Sequence, residues 1–196
     1  MSTESNANRY DLRAWLKRLG IKGADLVTRA TGEQLRRAIE PELERGSGLA
    51  VLDFAKVGVV DYSCADEVVA KMFVRLRAGE YRERFLLLDG LSAGQRENVE
   101  VALERKTLAA LGRMAGEREF EVLGTLNDYL RETLSLVHER GRLTARELSD
   151  ARKLAMNTAS TRLINLHDAR LVTREAEPGA ASRRQFAYRW LPSLLS

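Results

Sequence analysis

The stretch Thr144–Val172, TARELSDARKLAMNTASTRLINLHDARLV, reads as two short helices separated by a tight turn. Thr144 can cap the first helix with its hydroxyl while Glu147 reaches back to the cap residue's own amide, which is the capping-box arrangement. Leu148 and Ala151 fall on one face of that helix, and Leu154 carries an apolar side chain into the turn. Asn157 offers a second cap, after which Ala159, Leu163, Leu166 and Ala169 step at helical spacing. The spacing predicts a second helix over Asn157–Arg170. Its apolar stripe leaves Thr158, Thr161, Arg162 and Asn165 on the opposite side, short or forked side chains able to reach base edges.

Past Leu171 the pattern changes. LVTRE and RRQFAYRWL are β-prone runs joined by a linker holding Pro178 and Gly179, which predicts a hairpin. Phe186, Tyr188 and Trp190 alternate, so one face of the return strand is aromatic and reads as core. Helix, helix and hairpin, with Arg183 and Arg184 beside its turn, is the order of a winged helix-turn-helix. The segment resembles the winged-helix domains of bacterial regulators of the MarR type, over the last third of the chain. The resemblance implies double-stranded DNA as partner, with the second helix in the major groove. Arg162 and Asn165 are then the direct readers, Thr158, Ser160 and Thr161 are shared between bases and phosphates, and Asn157 stands at the helix start. Lys153, Arg183 and Arg184 add sequence-independent contacts, and Arg174 fixes the base of the wing. A homodimer is expected, since one winged helix buries little DNA and paired half-sites add a second set of contacts.

Upstream, LNDYLRETLSLVHERG places Leu126, Leu130, Leu134 and Val137 on one helical face, and Gly141 ends it. Charge divides at the same place. Of 32 Lys and Arg and 28 Asp and Glu, 20 of each lie at or before Gly124, so the whole formal excess of +4 falls on the later part. Positive charge there suits phosphate contacts.

The earlier part alternates strands and helices. Met1–Asn8 is polar and unpatterned, a tail by composition, with 1–9 assigned to it in all. Tyr10–Ile21 predicts a short helix, Asp25–Thr31 an extended segment, and Gly32–Glu44 a helix that Pro41 should kink or shorten. LAVLDF (49–54) and FLLLD (85–89) are buried-strand runs. Between them Ser63 is the expected cap of a helix carrying Val68, Val69, Met72, Phe73 and Leu76. Ala93–Leu111 predicts a long amphipathic helix and Phe120–Leu123 a last strand. The expectation is an α/β layer over residues 10–124, followed by the winged domain over 125–196.

LAVLDFAKVGVVDYSCADEVVAKM, preceded by DLVTRATGEQLRRAIE, resembles the STAS-like domains of bacteria, relatives of the anti-sigma-factor antagonists, over residues 25–124. The resemblance implies a sheet covered by helices and a partner such as a histidine-kinase-like ATPase or an anti-sigma factor. It places the antagonists' phosphorylated Asp-Ser-Ser-Gly turn at Asp61-Tyr62-Ser63-Cys64, with Asp66 in the helix that follows. Tyr62 stands where the usual phosphoacceptor would be and Cys64 replaces the glycine, which leaves Ser63 as the acceptor hydroxyl. A chain with this fold and no DNA contact, acting only by partner switching, is the competing expectation.

Other classes find little support. One cysteine, Cys64, allows no internal disulfide, and the two histidines, His138 and His167, are too few for a usual zinc cluster. Asp53, Asp61 and Asp66 lack a neighbouring histidine, and no nucleophile-base pair or phosphate-cradling glycine loop stands out. Neither an enzyme nor a cofactor is expected. Without a signal-like or long apolar run, the expectation is a cytoplasmic protein away from membranes.

Overall fold

A computed structural model describes residues 7–177 and 185–195. The chain divides into two compact units, 1–125 and 126–196.

The first unit is mixed α/β. Four parallel strands, β1 (Asn8–Asp11), β2 (Gly48–Asp53), β3 (Arg84–Leu91) and β4 (Ala109–Met114), stand side by side in chain order, and β5 (Glu121–Gly124) closes the edge antiparallel to β4. The helices are α1 (Leu12–Arg18), α2 (Arg29–Arg45), α3 (Tyr62–Ala65), α4 (Lys71–Arg77) and α5 (Ala93–Glu104). A single π-helical turn, Asp66–Ala70, joins α3 to α4. One core gathers Ala50, Leu52, Leu86, Leu88 and Ala110 from the sheet with Leu35, Ile39, Val68, Met72 and Val99 from the helices. Alternation along a strand sends successive side chains to opposite faces, so these same-parity residues fix which face the helices cover.

Several expectations are corrected here. Asn8 and Arg9 belong to β1 rather than to a tail. The helix expected over Tyr10–Ile21 is shorter, because Asp11 accepts a hydrogen bond from the Ala14 amide at 2.9 Å and starts α1 at Leu12. Within 25–31 only Leu26 is bridged as strand, to Val60, and α2 already begins at Arg29 under a Thr28 cap. Pro41 does not end α2, which continues to Arg45. The proline removes one amide donor, but Leu35, Ile39 and Leu43 are fully buried along the same face and hold the helix in place. The helix expected to reach Leu111 stops at Glu104. Thr107 then takes a positive φ of 52°, and the apolar run that follows pairs with β3 and β5 as strand β4.

The second unit begins with α6 (Asp128–Arg140), ended by Gly141 at φ 72°. β6 (Arg142–Thr144), α7 (Ala145–Arg152), α8 (Met156–Asp168), β7 (Val172–Ala176) and β8 (Phe186–Trp190) follow, and a 3-10 turn spans Leu191–Leu195. The three strands form one antiparallel sheet in the order β6-β8-β7. The capping box at Thr144 and Glu147 is present in both directions. Asn157 is not the cap of α8. Ala155 takes that place with no side-chain bond, and the helix spans Met156–Asp168 instead of Asn157–Arg170.

Candidate functional site

Two hydrogen bonds fix the turn that presents α8. The Leu154 amide donates to the Ser149 carbonyl at 3.0 Å, and the Ser149 hydroxyl donates to the Leu154 carbonyl at 2.7 Å. Lys153 sits between the helices in the left-handed region, at φ 50°. Ala159, Leu163 and Leu166 are fully buried, which turns Asn157, Thr158, Thr161 and Ile164 to solvent, while Ser160 and Asn165 are half-buried. Lys153 is exposed at the head of this face.

Arg162 departs from the rest. Its side chain is only 18% exposed, its guanidinium lies 5.3 Å over the Tyr129 ring, and Nη1 stands 3.7 Å from Glu132 Oε2. The other Glu132 oxygen is 3.2 Å from Arg152 Nε, so one carboxylate of α6 serves arginines of both α7 and α8. Tyr129, Asn157, Thr158, Thr161, Arg162 and Asn165 line a shallow cleft of about 380 Å³. Tyr129 and Glu132 carried no local signal in the sequence, since only the packing of α6 on α8 brings them to this face.

On the hairpin, Tyr188 and Trp190 are buried, and Trp190 stacks on His138 at 4.5 Å between ring centroids. These aromatics are core. Arg174 lies 4.6 Å over the Phe186 ring, bracing β7 against β8. Arg183 and Arg184 lie outside the described residues.

The turn 61–64 is built differently from the expectation at its cap. Asp61 holds that place, accepting from the Cys64 amide at 2.8 Å and from the Ser63 hydroxyl at 2.9 Å. Burial opposes the Asp61 charge, but those hydrogen bonds hold its carboxyl below the ordinary aspartate range. Tyr62 is half-buried under Arg105, whose guanidinium is 4.6 Å from the ring centroid. The Cys64 thiol is fully buried and donates to the Thr28 carbonyl at 2.9 Å. Burial, with Asp61 nearby, pushes it up to about 11, so at neutral pH it is an unreactive packing group.

Asp66 pairs with Arg29 at 3.0 Å and Lys106 at 3.2 Å, whereas Asp53 pairs with Arg9 at 2.8 Å. Asp53, Asp61 and Asp66 thus have separate partners. Among the described residues no group of three or more His, Cys, Asp or Glu is placed to hold a metal ion. No described helix is long and apolar enough to cross a membrane.

No protein-family model matches this chain, and neither does any curated protein.

Proposed function

We propose that the protein is a DNA-binding transcriptional regulator of bacterial type, in which a STAS-like interaction or sensory domain is joined to a winged helix that reads double-stranded DNA. One observation carries the proposal. In the second unit a three-stranded β6-β8-β7 sheet packs with α6, α7 and α8 in winged-helix order, and α8 turns a face of short polar side chains to solvent. Such a face fits the major groove, and Tyr129 of α6 borders it beside Arg162. Asn157, Thr158, Thr161 and Asn165 are the readers, with Ser160 at their side, and Lys153 meets a phosphate at the head of the helix. Arg183 and Arg184, between β7 and β8 in sequence, add backbone contacts. The protein acts in the cytoplasm as a homodimer on paired half-sites.

Sequencing of DNA fragments retained by the purified protein tests this. A recurring motif with two half-sites is expected, and fragments with no common sequence would contradict specific reading.

A second reading, partner switching through the first unit with no DNA contact, is favoured by one feature. Tyr62 and Ser63 are half-exposed in the first turn of a helix, whose amides favour added negative charge against the opposing Asp61 carboxylate 2.9 Å from the Ser63 hydroxyl. Recovery of a histidine-kinase-like ATPase or an anti-sigma factor on the intact protein, lost with Ser63→Glu and unaccompanied by DNA, would favour it.

A further inference from the structure

Guanine and adenine offer different edges in the major groove. Guanine presents two acceptors that an arginine or lysine meets bidentately, adenine presents an acceptor beside a donor that asparagine matches, and thymine adds a methyl group that apolar contacts recognise. The side chains on α8 therefore bear on which base pairs it prefers.

Arg162 is the only basic residue between Asn157 and Leu166, and it is already engaged. Its guanidinium is 5.3 Å over Tyr129 and its Nη1 is 3.7 Å from Glu132. The remaining outward groups are amides, methyls and the Thr158 hydroxyl. The Thr161 hydroxyl donates to the Asn157 carbonyl at 2.9 Å, so its hydrogen is used within the helix and its methyl is left for the surface. Asn157 Oδ1 accepts from the Thr158 amide at 2.8 Å, which leaves its amide nitrogen as the outward group. Ile164 is 37% exposed on the same side, and Asn165 borders the Tyr129 cleft.

We infer that α8 reads A·T base pairs, and that Tyr129 and Glu132 are positioning residues that withhold Arg162 from guanine. Asn165 supplies the amide for adenine, and Thr158, Thr161 and Ile164 supply the apolar contacts for thymine methyls, while the Asn157 amide nitrogen donates to a purine N7 without distinguishing adenine from guanine. Glu132 engages the one basic side chain between Asn157 and Leu166, which would otherwise favour a G·C pair. The inference rests on the DNA reading above and narrows it to a class of target.

The test uses the intact protein with two duplex competitors of equal length, alternating A·T and alternating G·C, at one low salt concentration, together with selection from a randomised duplex library. The alternating A·T duplex is expected to compete about tenfold better, and the selected half-sites to be A·T-rich at their centres. Glu132→Gln, at a side chain 49% exposed, is expected to keep the thermal midpoint and narrow that ratio by freeing Arg162. Thr161→Ser keeps the hydroxyl, removes the methyl and is expected to weaken binding to A·T several-fold, ~3-fold or more. Selected half-sites with a central guanine whose preference vanishes in Arg162→Ala would overturn the inference and leave the DNA reading standing. Binding of neither duplex would end both.

Discussion

Arg84 is fully buried, and among the described residues it forms no ion pair within 4 Å. Its guanidinium instead donates to the carbonyls of Glu42 at 3.3 Å, Leu43 at 3.1 Å and Ser47 at 2.6 Å, collecting the last acceptors of α2 and the turn after it. Gly46 has to be glycine for this clip to close, because a Cβ there would fall 1.6 Å from Arg84 Nη2. Arg84→Met takes the guanidinium from the buried Leu43 carbonyl and from Ser47, while Glu42 keeps the Gly46 amide, and a loss of about 2–4 kcal/mol is expected from urea unfolding. An unchanged midpoint would remove Arg84 from the account. Glu67 is the acidic counterpart, 1% exposed among Arg29, Arg36 and Lys71. Burial works against its charge, but hydrogen bonds from Lys71 and Arg29 outweigh it and hold the carboxyl below the usual glutamate range. The folded-state pKa is depressed, so this stabilisation is present above the unfolded value of ~4.3 and is lost as pH falls through the folded one. Glu67→Gln is expected to cost about 1–3 kcal/mol at neutral pH, and the gap to the parent protein should shrink below about pH 4. A gap independent of pH would show that the charge is not what stabilises. At Cys64 the expected outcome is no labelling by a thiol reagent at neutral pH until denaturant is added. Fast labelling of the native protein would contradict the burial seen there.

At the scale of elements, the sequence was legible wherever a signal was local. The runs LAVLD and FLLLD needed no partner to read as strands, and the capping box at Thr144 and the stop at Gly141 are written within a few residues. Thr144→Ala is expected to cost about 1 kcal/mol, measured by thermal or urea unfolding. No loss would mean that β6 alone holds the start of α7. β1, β4 and β6 were missed because pairing decides them. AALGRM suits a helix and a strand almost equally, and the strand forms because β3 and β5 flank it, with Gly112 allowing close approach to Leu123. At the turn 61–64 two residues were equipped to cap, and Asp61 prevails because its carboxylate reaches the Cys64 amide and also accepts from Ser63. The candidate site follows the same rule. Helical period alone found the outward residues of α8, yet it placed Arg162 among the free ones. Tyr129 and Glu132 lie far upstream, and no periodicity within α8 could reveal that they hold it.

For the molecule as a whole, charge and architecture point the same way. Balanced charge up to Gly124 accompanies a sheet with its own core, whereas the excess of +4 belongs to the part carrying α8 and the hairpin. Binding that relies on phosphate neutralisation releases counterions and must weaken as salt rises. The most direct test of DNA binding is therefore the affinity of the intact protein for a labelled duplex, followed by fluorescence anisotropy from ~50 to ~200 mM salt. Binding at the lowest salt that falls at least about tenfold across the range is the predicted result. No binding at the lowest salt, or an affinity indifferent to salt, would contradict it.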